Sequence, residues 1–120
     1  MINVPEIEAL RQRRAPLEMP PDEFREIGHR LVDEIADRLA KLPDGPVMRD
    51  ESPADLRRAL GAEQTLPPAG ADAARLVSEA TGLLFDHALF NAHPRFFGYI
   101  TASPAPIGMF GDFLAAALNQ

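Results

Sequence analysis

Apolar side chains recur at intervals of three and four positions in four stretches of this chain. The first stretch follows Pro20-Pro21-Asp22-Glu23, where the prolines and the two acids suit the first turn of a helix. Its apolar positions share one side of an amphipathic helix: Phe24, Ile27, Leu31, Ile35, Leu39 and Leu42. The run Pro43-Asp44-Gly45-Pro46 predicts the end of that helix.

Two weaker patterns predict short helices on either side of the first one. Ser52 is a good N-cap with Pro53 at the first helical position, and Gly61 can terminate the short apolar face that follows. Residues 6–14 are compatible with a helix after Pro5. They show little apolar periodicity, so that helix would need a partner surface.

The strongest pattern after the first covers residues 71–91. One predicted face carries Leu76, Val77, Ala80, Leu83, Leu84 and Ala88. Phe85 and Leu89 form a second apolar ridge, so the C-terminal half is apolar on more than one side. Such a pattern is typical of a helix held between two bodies, for example two subunits.

A fourth helix is predicted to start at Ser103-Pro104. One side carries Ile107, Phe110, Leu114 and Leu118, with Met109 and Phe113 beside them. Glycines and alanines between these positions permit close contact with a neighbouring backbone. Only residues 97–101 are a candidate strand, so the predicted fold class is mostly α.

Charge and composition narrow the classes of function. The chain has 18 acidic and 12 basic residues and a net charge of -6, which repels nucleic acid. It has no cysteine, which excludes disulfides and thiolate metal sites. No apolar run approaches the roughly 18 residues of a membrane span, and no charged-then-apolar signal segment opens the chain. We expect a cytoplasmic protein with neither nucleic acid nor membrane as a partner.

Residues for covalent or metal chemistry are sparse. Lys41 is the sole lysine, and its position suits an exposed helix end better than a desolvated Schiff base. The three histidines lack the paired spacing of a helical zinc site, and two of the three serines are explained as helix caps before proline. We therefore expect no catalytic residue and no metal site in this chain.

Residues 93–104 hold the densest cluster of recognition groups, His-Pro-Arg-Phe-Phe-Gly-Tyr-Ile followed by Thr-Ala-Ser-Pro. Arg95 can pair with an anion or stack on a ring, and Tyr99 offers an apolar plate with a polar tip. Gly98 allows close approach of another backbone. His93 can contact a ligand or fix the loop by hydrogen bonding. The segment itself fits a pocket wall, an interface or ordinary core packing.

This segment, the turn after it and the Gly-Asp-Phe-Leu of residues 111–114 resemble the group II pyridoxal-phosphate-dependent amino-acid decarboxylases. That family includes aromatic-L-amino-acid, histidine and glutamate decarboxylases. The upstream order of helix, proline-rich link, short helix and longer helix is also similar, so the resemblance covers about residues 20–120. It implies the N-terminal helical segment of a fold type I, aspartate-aminotransferase-like α/β enzyme. Residues 1–102 would then clamp the partner subunit, and residues 103–120 would form the first helix of the large cofactor-binding domain.

The resemblance also implies a function and a site. Family members are homodimers that convert an L-amino acid to an amine and carbon dioxide with pyridoxal phosphate. By position, the substrate site would be lined by Phe97, Tyr99, Ile100, Thr101 and Ala102, with His93 as a further candidate.

Two positions bear on the substrate that the resemblance implies. The glutamate-type branch carries Asn-Gln where this chain has Gly98-Tyr99, which favours an aromatic or bulky substrate here. Thr101 stands where animal aromatic decarboxylases carry a proline, and Ala102 stands where they carry a threonine. The role of that threonine is therefore not transferred to this chain.

The family's cofactor lysine, and the histidine and aspartate that contact the pyridine ring, lie beyond the position of Gln120. We therefore expect these 120 residues to be the N-terminal part of a longer enzyme, a fragment of one, or one piece of a split one. Pyridoxal phosphate would be bound mainly by the C-terminal region. The partners would be the remainder of the enzyme, a second identical subunit and a small L-amino acid. Alternatives are a non-enzymatic helical association module and a lyase or aldehyde synthase of the same family.

Overall fold

A computed structural model describes residues 4–13 and 17–119. Within those ranges it contains five α-helices and no β-strand: α1 (Val4–Gln12), α2 (Pro21–Lys41), α3 (Pro53–Ala59), α4 (Ala73–His87) and α5 (Pro106–Leu118). A 3-10 turn, Leu42–Asp44, ends α2. The mostly helical prediction is confirmed, and the candidate strand at residues 97–101 is wrong. The expected end of the first short helix at Arg14 lies outside the described residues.

Helices α2 and α4 pack against each other and form the centre of the structure. Ile27 of α2, at 9% exposure, is the one buried apolar side chain among the described residues. Thr81 of α4 is also buried, and its hydroxyl donates to the carbonyl of Val77 at 2.8 Å. That bond satisfies the hydroxyl, so a polar side chain is tolerated at this junction.

The face that α4 turns toward α2 matches the predicted apolar face only in part, since Val77 belongs to both. Ala74, Val77 and Ser78 lie beside Ile27 and Leu31 of α2. Small side chains let the two helices approach closely. The longer leucines on the neighbouring face, Leu76 and Leu84, remain exposed. Helix α4 also ends at His87, four residues before the predicted end, because Ala88 is extended.

Helix ends largely follow the sequence signals. Ser52 caps α3 in a reciprocal box in which its hydroxyl accepts from the backbone N–H of Asp55, whose carboxylate accepts from the backbone N–H of Ser52. Gly61 follows α3 with a left-handed φ of 61°. Asp72 caps α4 by accepting from Arg75 N at 2.8 Å.

Helix α5 starts at Pro106, so the predicted start at Ser103-Pro104 is wrong. Ala105 precedes that proline and is extended, with φ of -102° and ψ of 119°, because a proline ring disfavours helical backbone in the residue before it. At the other end, Asn119 adopts the left-handed conformation with φ of 46° and closes the helix by donating to Ala115.

Almost all of α5 faces solvent. Its one ring contact is the stacking of Phe113 on Phe24 of α2, with 6.3 Å between the ring centroids. The Cα radius of gyration is 19.8 Å, against about 14 Å for a compact domain of this length. Across the described ranges, no helix is both long enough and apolar enough to cross a bilayer.

Candidate functional site

The candidate side chains lie in the connection between α4 and α5. We call residues 91–102 the aromatic loop and residues 97–101 its tip. Residues 91–96 form its base, which turns twice through backbone hydrogen bonds from His93 N to Phe90 O (3.1 Å) and from Phe96 N to His93 O (2.9 Å). These backbone hydrogen bonds therefore order the base independently of its side chains.

His93 is the most buried polar side chain described, at 3% exposure. Its Nδ1 accepts from the backbone N–H of Arg95 at 3.0 Å, so the proton of the neutral ring sits on Nε2. Nε2–H then donates to the carbonyl of Gly45 at 3.0 Å. Both ring nitrogens are thus engaged, and His93 fixes the loop by hydrogen bonding, one of the two roles that the sequence left open.

The link between α2 and α3 anchors the base of the aromatic loop. The carbonyl of Gly45 also accepts from the guanidinium of Arg95 at 2.8 Å. Two residues on, the carbonyl of Val47 accepts from the backbone N–H of Phe90 at 2.9 Å. Arg95 was predicted to pair with an anion or stack on a ring, and the structure instead places its guanidinium on a backbone carbonyl.

A second set of contacts joins the same link to the end of α4. His87 Nδ1 lies 2.7 Å from Glu51 Oε2, and both side chains are largely shielded from solvent. His87 is therefore packed and hydrogen-bonded. His29, by contrast, is exposed.

Asp86, near the end of α4, forms ion pairs with two arginines. Its carboxylate lies 2.9 Å from the guanidinium of Arg38 in α2 and 3.5 Å from that of Arg49. The hydrogen bond from Arg38 is the main cause of the lowered pKa of Asp86, and the charges of Arg38, Arg49 and His87 add to it against a smaller effect of burial. Arg38 also lies over the ring of Phe85, at 5.5 Å from its centroid.

The tip of the aromatic loop is exposed to solvent. Phe97 and Tyr99 are 91% and 88% exposed, and Ile100, Thr101 and Ala102 are exposed as well. The five predicted site residues therefore come together on one projecting segment, and the described residues do not enclose them.

The backbone of the tip is held in an unusual conformation. Tyr99 has a left-handed φ of 50°, which costs an L-residue about 1–2 kcal/mol. Before it, a Cβ at Gly98 would lie 3.2 Å from the Phe96 ring, closer than is comfortable, so glycine suits this position. At the end of the loop, the side-chain amide of Asn91 donates to the carbonyl of Ala102 at 2.9 Å.

Sequence reasoning missed Asn91 and Gly45. Asn91 lies two positions before His93, and asparagine is an ordinary residue in a loop. Its partner is eleven positions further along the chain, and no sequence pattern indicates that contact. Gly45 belongs to a predicted helix stop, and its carbonyl meets His93 across 48 positions of sequence. Backbone carbonyls carry no sequence signal, because every residue has one.

A cleft in the described structure lies apart from the aromatic loop. It measures about 670 Å³ and runs between α2 and α4, lined by residues that include Asp37, Arg38, Lys41 and Phe85. None of the tip residues lines it. We place the candidate site at the aromatic loop, because the cleft is open to solvent and contains none of the predicted site residues. No group of three or more His, Asp or Glu among the described residues could hold a metal ion.

The residues present do not fit a pyridoxal phosphate site. The one lysine of the chain, Lys41, is exposed in the last turn of α2, where its charge suits the helix dipole. A lysine that forms a Schiff base needs a desolvated or cationic neighbourhood to lower its pKa, and this position offers no burial. No catalytic step is assigned to this chain.

Comparisons with known proteins relate the chain to amino-acid decarboxylases. A tyrosine decarboxylase of Oryza sativa subsp. japonica is 34% identical over 120 residues, which is 97% of this chain and 22% of the relative. A phenylacetaldehyde synthase of Petunia hybrida is 29% identical over 101 residues, covering 84% of this chain and 20% of the relative. An aromatic-L-amino-acid decarboxylase of Bacillus atrophaeus is 27% identical over 103 residues, covering 86% and 21%.

The chain thus spans about a fifth of the length of these curated relatives. No family model matches it, and no solved structure matches it significantly. The predicted resemblance to the group II decarboxylases is nevertheless confirmed, since the curated homologues of this chain include tyrosine and aromatic-L-amino-acid decarboxylases.

Proposed function

We propose that this chain is the N-terminal segment of a pyridoxal-phosphate-dependent decarboxylase of aromatic L-amino acids, with fold type I architecture and a cytoplasmic location. Residues 1–102 clamp a second identical subunit and supply one wall of the substrate site, and residues 103–120 start the large domain. The observation that carries the proposal is the match to a tyrosine decarboxylase over 97% of this chain. The geometry supports it in two places, the uncovered apolar faces and the tip of the aromatic loop.

The proposed contacts with the second subunit and with the remainder of the enzyme follow from exposed apolar surface, on α4 within residues 1–102 and on α5 within residues 103–120. On α5, the exposed side chains are Ile107, Phe110, Phe113, Leu114 and Leu118, and on α4 they include Leu76 and Leu84. Burying each such side chain against a partner stabilises the assembly by about 1.5–3 kcal/mol. Contiguous apolar surface of this kind is typical of an interface. The remainder of the enzyme and the second subunit are the proposed cover.

The preference for an aromatic substrate follows from the chemistry of the tip. Phe97, Tyr99 and Ile100 offer ring faces and an aliphatic surface but no positive charge. The one cation of the loop, Arg95, lies in its base, where the guanidinium binds the carbonyl of Gly45. An aromatic side chain can stack or pack on the wall formed by the tip, whereas the side-chain carboxylate of glutamate would find no cation on that wall.

Pyridoxal phosphate supplies the electron sink that the loss of carbon dioxide requires. Because the residues of this chain do not fit that cofactor, the proposal assigns its binding and the covalent chemistry to the remainder of the enzyme. This segment contributes contacts with the second subunit and one wall of the substrate site.

The test is to express the complete reading frame that contains these residues, load it with pyridoxal phosphate, and supply L-tyrosine, L-phenylalanine, L-tryptophan and L-glutamate separately. We expect equimolar amine and carbon dioxide from at least one aromatic substrate and much slower turnover of glutamate. A preparation that binds cofactor but decarboxylates, transaminates or deaminates none of these amino acids would overturn the proposal.

A second test needs only the segment. Residues 1–120 replace the matching part of the Oryza tyrosine decarboxylase, and a variant lacking that part serves as the control. We expect the hybrid to regain dimer formation and measurable decarboxylation. A hybrid no more active than the deletion would contradict the assigned role.

The aldehyde-forming reaction is the second candidate, because the Petunia relative is a phenylacetaldehyde synthase. Formation of an aldehyde in place of an amine would identify that reaction in the same assay.

A further inference from the structure

The base and the tip of the aromatic loop differ sharply in their contacts. The base is fixed to the α2–α3 link by His93 and Arg95, which share the carbonyl of Gly45. The tip makes no side-chain hydrogen bond that the structure records, and Phe97 and Tyr99 stand in solvent. A bare tip on a fixed base is the arrangement expected of a preorganised recognition element, because binding then costs little ordering of the loop.

Asn91 closes the loop from the other side. Its amide reaches eleven residues along the chain to the carbonyl of Ala102, immediately after the tip. Holding both ends of a segment restricts the conformations open to the residues between them. Those residues include Tyr99, whose left-handed backbone needs support from its surroundings to persist.

We propose that Asn91 and His93 are positioning residues of the substrate site: together they hold the tip in the geometry that admits an aromatic amino acid. Neither side chain touches the substrate in this proposal. His93 sets where the loop leaves the body of the protein, and Asn91 sets where it returns. The inference rests on the proposed function, but its structural half can be measured without turnover.

A graded series at His93 tests which bond matters. In the complete, cofactor-loaded enzyme, His93→Gln keeps a donor near the position of Nε2 and so retains the bond to Gly45. His93→Asn can still accept from Arg95 N–H but is too short to reach Gly45. We expect His93→Gln to keep its KM for the aromatic substrate within about threefold, and His93→Asn to raise it by roughly ten- to a hundredfold. In both variants kcat stays close to wild type, since a misplaced wall weakens binding rather than chemistry.

Asn91→Ala tests the second bond, and His87→Ala is the matched control. His87 joins the end of α4 to Glu51 in the same link but lies outside the aromatic loop. We expect Asn91→Ala to raise KM by roughly tenfold and His87→Ala to leave KM unchanged even if it lowers the melting temperature. If His87→Ala raises KM as much as the loop variants do, or if the loop variants lower kcat at unchanged KM, the residues have only a general structural role and the inference is wrong.

Amide hydrogen exchange of the tip separates this inference from the proposed function. In the complete protein, His93→Asn and Asn91→Ala should speed exchange in residues 96–102, and His87→Ala should not. Unchanged exchange in both loop variants would overturn the positioning role whatever the enzyme does. Faster exchange in a protein that turns over no aromatic amino acid would uphold the loop geometry but overturn its link to substrate choice.

Discussion

The α2–α4 junction and α5 both carry apolar side chains at helical spacing, but they differ in how far the chain buries those side chains. At the junction, Ile27 and Thr81 are buried, and the polar groups around them find partners within the chain. In α5, Ile107 is 80% exposed, and the described contacts include one ring pair with α2. The comparison shows that the same apolar periodicity can denote a core that the chain completes itself or a face that other protein must complete.

The largest expected effect comes from placing a charge on α5. Leu114→Asp puts a carboxylate on the exposed apolar face, where a subunit interface would have to desolvate it. In the complete protein we expect dimer formation to weaken by more than about a hundredfold, which sedimentation velocity would show. The isolated 120-residue chain should keep its helix content. A dimer that survives the change would mean that this face of α5 does not lie in the subunit interface.

Matched truncations of two isoleucines probe the comparison directly. Ile27→Ala removes buried side chain from the junction and should destabilise the folded state by about 2–4 kcal/mol in urea unfolding. Ile107→Ala removes the same atoms from α5 and should change the isolated chain by less than about 0.5 kcal/mol. In the complete protein the Ile107 effect should grow, because the partner then covers that face. Equal effects of the two changes in the isolated chain would contradict the distinction.

The junction should also respond to acid through Asp86. The folded pKa of Asp86 is lowered, chiefly by its hydrogen bond from Arg38, so its stabilising contribution is present above the unfolded pKa of about 3.9 and is lost as the pH falls through the folded value. With 43% of the side chain exposed, solvent screening limits Asp86→Asn to about 0.2–1 kcal/mol at pH 7.

Melting curves from pH 7 to pH 2 would check this prediction. The gap between wild type and Asp86→Asn should close toward the acid end. Glu26→Gln, in an exposed pair with Arg30 within α2, is the control and should have little effect at pH 7. A gap that persists to the lowest pH would show that the substitution acts through packing instead.

The smallest effect is expected at the tip. Tyr99→Asn places a residue that tolerates the left-handed region at a φ of 50°. It should stabilise the complete protein by a few tenths of a kcal/mol, measured by urea unfolding. The same change removes an exposed ring, so we expect binding of an aromatic substrate to weaken. Lower stability in Tyr99→Asn would mean that the ring is buried against another part of the protein.

Much of the helical framework could be predicted from the sequence because its signals are local. The α2 stripe and the Ser52 cap depend on residues within a turn or two of each other. The start of α5 is harder to predict, because Ser103-Pro104 is itself a helix-start signal, while the second proline, Pro106, holds Ala105 extended and moves the start to Pro106.

The candidate site was predictable only in part. A family pattern pointed to residues 97–102, and the structure gathers them on one tip. The contacts that hold the tip depend on a carbonyl 48 positions away and on an amide that spans eleven residues. Contacts between residues this far apart in the sequence do not affect the spacing of apolar or charged residues. Only the three-dimensional structure reveals these two contacts.

The shared carbonyl of Gly45 ties the length of the α2–α3 link to the placement of the aromatic loop. Removing or adding one residue between Lys41 and Ser52 would move that oxygen away from its two donors, His93 and Arg95. A swap of specificity loops between related enzymes should therefore carry residues 42–51 along with residues 88–105. A loop exchanged alone would lack the correctly placed carbonyl of residue 45 that accepts its hydrogen bonds.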